Sequence, residues 1–364
     1  MTKTISSLLS IVAISALTIG CGSSSATSNA TSKTSTGTVI DDYIQGATVC
    51  VDSNNDGKLD TAIDKPCAES TTNATGQFIF KTDVSGSPLM MSGGTDVASG
   101  KAFTGTYTAP AGSLVINPLT TLVQAIIKDS NGTINATTAQ STVKTSLELP
   151  SGIDLTSYDP IAILSTGTDA QKEEAKQVFA QQSSIQTILT IVASTIAANI
   201  SATNEAAVTT NAASQIAALM TASSTAVVIN VASTSNVQTI IERTATAENN
   251  TVIDSALITA ISAQVEATSS QVIASIDSTS TDIIEIREAA AQIATVVQEN
   301  TIATTRAIEA GTAPADIVAN TIAPTTDGNA LTTAIAAVTT VATNLTTVAT
   351  EDTAPVLTGA EGAN

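Results

Sequence analysis

The chain has 364 residues, with 32 acidic against 13 basic side chains, a formal charge of −19, and neither His nor Trp. Without His it has no Ser-His-Asp or Cys-His nucleophile system and no imidazole ligand for zinc or haem. So few basic residues, at an isoelectric point near 4.1, argue against nucleic acid as a partner and against an anionic membrane surface.

Lys3 followed by the apolar run Ile5–Ile19 reads as an export signal, too short to span a bilayer comfortably. Its end, Leu17-Thr18-Ile19-Gly20-Cys21, resembles a bacterial lipoprotein signal, with Thr18 departing from the usual Leu. That resemblance implies a signal peptide over residues 1–21, lipidation of Cys21, and attachment to a bacterial membrane in the cell envelope. Residues 22–37 are rich in Ser, Thr, Gly and Ala, a composition that buries no core and reads as a tether.

Ala47-Thr48-Val49-Cys50-Val51 alternates like a strand and runs into Asp52-Ser53-Asn54-Asn55-Asp56-Gly57-Lys58-Leu59-Asp60. Oxygen-bearing residues at loop positions 1, 3, 5 and 9 with Gly at 6 follow the calcium-loop spacing. Alternate side chains of a tight loop converge on one hard cation, Gly takes the bend, and Lys58 offers its carbonyl at position 7. Ile63 stands where the bidentate Glu is expected, and Asp64 follows one residue late as a substitute. The candidate Ca²⁺ ligands are therefore Asp52, Asn54, Asp56, Lys58, Asp60 and Asp64. The competing reading is a polar turn. Cys50 and Cys67 bracket the loop, and export favours a disulfide over two buried thiols. The bridge would close a loop with 16 residues between the pair, a constraint on the unfolded chain of about 3 kcal/mol.

Gln77-Phe78-Ile79-Phe80 and Thr106-Tyr107-Thr108 read as further short strands, with Phe78, Phe80, Phe103 and Tyr107 as core aromatics. Pro118 opens an expected helix, Leu119–Lys128. The composition changes near residue 160: Thr168 to Ala310 contains no Gly and no Pro. Thr168–Gln171 fits a capping box. Apolar residues then recur at helical spacing, predicting helices near 169–200, 204–222, 235–248, 251–278, 282–310 and 329–350. Ala226–Val231 is β-branched enough for a strand or an irregular join. Thr, with 63 occurrences, is a mediocre helix former, so packing or self-association must carry the helices.

Gly46–Asp60 and Thr75-Gly76-Gln77-Phe78 are similar to the calcium-binding B-type (Cna-B/SdrD-like) and carboxypeptidase-regulatory-like β-sandwich modules of bacterial surface proteins. Gly93-Gly94-Thr95-Asp96 and Pro118-Leu119-Thr120-Thr121-Leu122 are similar to what often follows in secreted adhesin-type chains. The resemblance covers about residues 38–125. It implies a prealbumin-like sandwich whose loop carries Ca²⁺ on Asp52, Asn54, Asp56 and Asp60.

The expected fold is α+β in two domains: a calcium-binding sandwich over 38–117, a helix and linker over 118–160, and a helical bundle over 161–350. An acidic flexible tail fills 351–364. The expected role is non-catalytic, as an adhesion, binding or scaffold protein with a protein or glycan partner and with self-association through the helices. Two other classes compete. One is an envelope hydrolase using paired carboxylates, which adjacent buried acids in a cleft would favour. The other is a pore or membrane-inserting protein, suggested by the uncharged stretches Ala206–Ile241 and Ala330–Thr350, although their Thr and Asn content speaks for buried helices. Asp282, Glu285 and Glu288, with Arg287 among them, read as a solvated helix face.

Overall fold

The structure is a computed structural model that describes residues 34–200, 205–223, 227–249 and 253–338. Cys21 and the signal, most of the tether, residues 339–350 and the tail lie outside the described residues.

The N-terminal part folds into three small sheets. Strands β1 (Ser35–Val39), β4 (Gln77–Phe80) and β8 (Val115–Ile116) form one, with β1 central, antiparallel to β4 and parallel to β8. β3 (Thr48–Val51), β5 (Leu89–Ser92) and β7 (Thr106–Ala109) form an antiparallel second, and β2 (Ile44–Gln45) pairs with β6 (Thr95–Asp96). The tether reading is corrected here, because Ser35, Thr36 and Gly37 are strand. Thr suits a pleated surface, and Gly37 leaves room for Phe78, whose ring would lie 2.5 Å from a Cβ at that position. Alternation places Phe78 and Phe80 inward, edge to face at 5.8 Å.

Helix α1 (Pro118–Asp129) follows directly, capped by Asn117, whose side chain accepts from the Thr120 N–H while the Thr120 hydroxyl accepts from the Asn117 N–H. Its buried Leu119, Leu122, Val123 and Ile126 each contribute roughly 1.5–3 kcal/mol. The span expected as linker also contains α2 (Ala136–Ser146) and the start of α3 (Pro160–Thr166). Then come α4 (Asp169–Asn199), α5 (Glu205–Met220), α6 (Thr234–Ala247), α7 (Ser255–Asp277) and α8 (Ile283–Glu309), close to the expected spans. Val227–Asn230 forms no regular structure. Short turns of helix and one π-helical stretch over Pro314–Thr326 precede a helix at Gly328–Ala336.

The protein is thus α+β, with small sheets first and helices after. α4 is the central helix, packing against α3, α5, α7 and α8, while α1 packs on β7 and α5. One continuous apolar core runs from Val39 and Phe80 through α1 to Phe179 and Ile188 of α4 and on to Ile293 of α8. The compositional change near residue 160 therefore marks no break in the core. Among the described residues, no helix is long and apolar enough to cross a membrane.

Candidate functional sites: a carboxylate loop and an acidic cleft

The loop after β3 closes on itself through its own carboxylates. Asp52 accepts from the N–H groups of Asp56 (3.1 Å) and Gly57 (3.0 Å). Asp56 accepts from the Lys58 N–H at 2.7 Å and from the Asn54 amide at 2.9 Å, and Asp60 accepts from the Ala62 N–H at 2.8 Å. Gly57 takes the bend at φ 73°, as position 6 requires. Asp64 turns into the loop and is fully buried, accepting from the N–H groups of Ser53 (3.1 Å) and Asp60 (2.7 Å). Ile63, at position 12, faces solvent. Cys50 and Cys67 lie at disulfide distance beneath the loop, S–S 1.99 Å.

Burial raises the Asp52 carboxyl above its usual range; the Gly57 N–H opposes this, and the charges of Asp56 and Asp64 add to it. A cation would relieve that repulsion. As positioned, however, the loop is not a metal cage: among the described residues, no three acidic or thiol side chains gather closely enough to hold an ion. One N–H per carboxylate oxygen leaves lone pairs free, so Asp56 and the exposed Asp60 become ligands only by turning inward. Lys58 is exposed, and its carbonyl accepts no described hydrogen bond.

The same loop grips two helices. The Gln124 amide of α1 donates to the Asn55 side chain at 2.7 Å, and the Lys128 ammonium donates to the Asp56 carbonyl at 2.9 Å. The Thr210 hydroxyl of α5 donates to the Gly57 carbonyl at 2.8 Å, and a Cβ on Gly57 would lie 2.5 Å from the Thr210 methyl.

A second site went unread in the sequence. A cleft of about 60 Å³ opens between the β1–β2 turn, β6, β7 and helices α4, α5, α7 and α8. Asp41, Asp42 and Asp96 line it, the first two buried and Asp96 half-buried. Arg287 of α8 forks onto Asp42, Nε to Oδ1 at 2.8 Å and Nη2 to Oδ2 at 2.7 Å, and lies 5.7 Å from the Tyr43 ring centre. The solvated-face reading is thereby corrected for Arg287, which is 6% exposed. Asp282 caps α8 through the Ile284 and Glu285 N–H groups, and Glu285 accepts from the Ser280 hydroxyl.

Asp96 accepts from the Ser99 N–H and hydroxyl and from the Asp42 N–H. Burial, with the charge of Asp42, pushes its carboxyl up to about 6 against the Ser99 bonds. Burial first and the Asp96 charge second hold Asp41 well above the carboxylate range, with the Tyr107 hydroxyl as its opposing partner. Neither Asp41 nor Asp96 is ion-paired among the described residues. No family model, curated protein or solved structure matches the chain.

Proposed function

We propose that the chain is an exported bacterial cell-envelope protein, lipid-anchored through Cys21, with a non-catalytic binding or scaffold role. On this reading its N-terminal sheets are a prealbumin-like sandwich similar to the Cna-B/SdrD-like modules, and the Asp52–Asp64 loop is a calcium brace. The observation that carries the proposal is the docking of that loop on Gln124, Lys128 and Thr210. A loop whose tip is spent on two helices is suited to holding parts together and poorly suited to switching or turnover. Asp52, Asn54, Asp56, Asp60 and the Lys58 carbonyl would supply oxygens, while Asp64 closes the loop from within. Ca²⁺ at such extracellular sites binds at about 10⁻⁴–10⁻³ M. Fractionation of wild type and Cys21→Ser tests the anchor, with the variant expected in the soluble fraction. Equal membrane retention of both would overturn it.

The hydrolase reading draws on one observation, the buried Asp41 beside the half-buried Asp96 in the cleft. Glycan turnover on the full chain would favour the hydrolase.

A further inference from the structure

We propose that the outward face of the β4–β1–β8 sheet, around Ile79, Thr36 and Leu114, seats on the phospholipid surface to which the chain is anchored, so that the protein stands on the membrane in one orientation. This rests on the lipid-anchor reading and adds to it the surface that meets the bilayer.

Alternation makes the face. Phe78 and Phe80 of β4 turn inward, so Ile79 between them turns out and is 49% exposed. Thr36 lies opposite Ile79 on β1 and is exposed as well. On the other side of β1, the Leu114 carbonyl accepts from the Thr38 N–H at 2.9 Å. Val115 of β8 is buried, so Leu114 before it turns out, 56% exposed. No other large apolar side chain on or beside the three sheets is exposed among the described residues, apart from Ile63 in the loop. Thr36, Ile79 and Leu114 bring no charge to the face, and Lys81, just past β4, pairs with Glu69 at 2.8 Å.

The length of chain before β1 and the charge of the protein say what covers this face. β1, the central strand of the sheet, begins at Ser35, and the stretch from Cys21 to Ser35 can span at most about 50 Å. A folded unit of about 300 residues is itself about 50 Å across. Only a fully stretched tether would let its far side meet the bilayer, whereas the sheet that holds β1 is within easy reach. A net charge of −19 gives no attraction to lipid headgroups, so contact has to come from an uncharged face with apolar side chains. The tether makes that contact intramolecular, and the face has only to choose the orientation. Burying the exposed halves of Ile79 and Leu114 favours the seated orientation by about ten- to a hundredfold.

The chain has no Trp, so Thr36→Trp places a single fluorescent reporter in the face. The chain from Cys21 onward is coupled through that thiol to maleimide-bearing phosphatidylcholine vesicles, Cys50 and Cys67 being bridged. This sets the anchor by chemistry and separates the test from lipidation in the cell, which fractionation of Cys21→Ser reads by itself. With brominated phosphatidylcholine, strong quenching is expected at Thr36→Trp and little at Ile302→Trp on α8, an apolar position 40% exposed. Adding Ile79→Asp and Leu114→Asp is expected to remove the quenching while the chain still floats with the vesicles. Ile79→Ser with Leu114→Ser, which adds no charge, is expected to do the same, and circular dichroism melts check that both double variants fold. Equal quenching at the two reporters, no quenching at Thr36→Trp in the coupled chain, or quenching that survives both double variants would each overturn the assignment.

Discussion

Replacing Arg287 with Met removes the cation that holds the β1–β2 turn to α8 and leaves Asp42 buried beside Asp41 and Asp96. Both Asp42 and Arg287 are more than nine-tenths buried, and two guanidinium–carboxylate bonds of 2.8 and 2.7 Å join them. Removing one partner of such a pair costs about 3–5 kcal/mol, because the surviving charge has no counterion. Protonation of Asp42 offers a partial escape. In the variant its carboxyl is raised in the folded state, so the folded variant binds the extra proton. Its stability is then highest below the unfolded carboxylate range and falls as pH rises through the raised value. The deficit relative to wild type is therefore larger at pH 8 than at pH 5. Urea unfolding followed by circular dichroism at both values measures it. Adding Asp42→Asn to the variant removes the stranded charge and is expected to recover much of the loss at pH 8. A variant within about 1 kcal/mol of wild type at pH 8, against the cost of a broken buried pair, would refute this reasoning. So would a deficit that shrinks with rising pH.

Gly57→Ala places a Cβ at φ 73° and 2.5 Å from the Thr210 methyl. It is expected to cost about 1–2 kcal/mol from the backbone alone, with more from the clash, and Thr210→Ser should recover the clash component in thermal melts. Burial, with the charge of Asp42, raises Asp96 from 3.8 to about 6. Its contribution is fully present below the unfolded carboxylate value and is lost as pH rises through about 6. Asp96→Asn is expected to flatten the fall in stability between pH 4 and about 6, and an unchanged slope would contradict the assignment.

Several parts of the molecule could be read locally. Thr168 and Gln171 cap α4 in the reciprocal arrangement their spacing implies, and Pro118 opens α1. The Asp52–Gly57 bend follows from a residue pattern that needs no distant partner. Leu89-Met90-Met91-Ser92 escaped because it does not alternate: all but Ser92 are buried, between β3 and β7. The short α2 escaped because its Ala and Thr carry little apolar periodicity. The cleft was unreadable for a different reason. Asp42 and Arg287 are 245 residues apart, and nothing local to either distinguishes a buried ion pair from a solvated charge. Gly93-Gly94-Thr95-Asp96 stood out only for its resemblance to adhesin-type chains, and the cleft that Asp96 lines is completed by helices far along the chain.

On the proposed reading, calcium on the Asp52–Asp64 loop braces the sheets against α1 and α5. Thermal melting with calcium and with chelator, on wild type and Asp56→Ala, tests it most directly. At 10–100 times Kd, a bound ion adds about 1.4–2.7 kcal/mol, so the melting temperature is expected to rise with calcium in wild type and not in the variant. Identical melting up to about 10 mM calcium, well above the range for such loops, would contradict it and leave Asp52–Asp64 as a polar turn held by its own N–H groups.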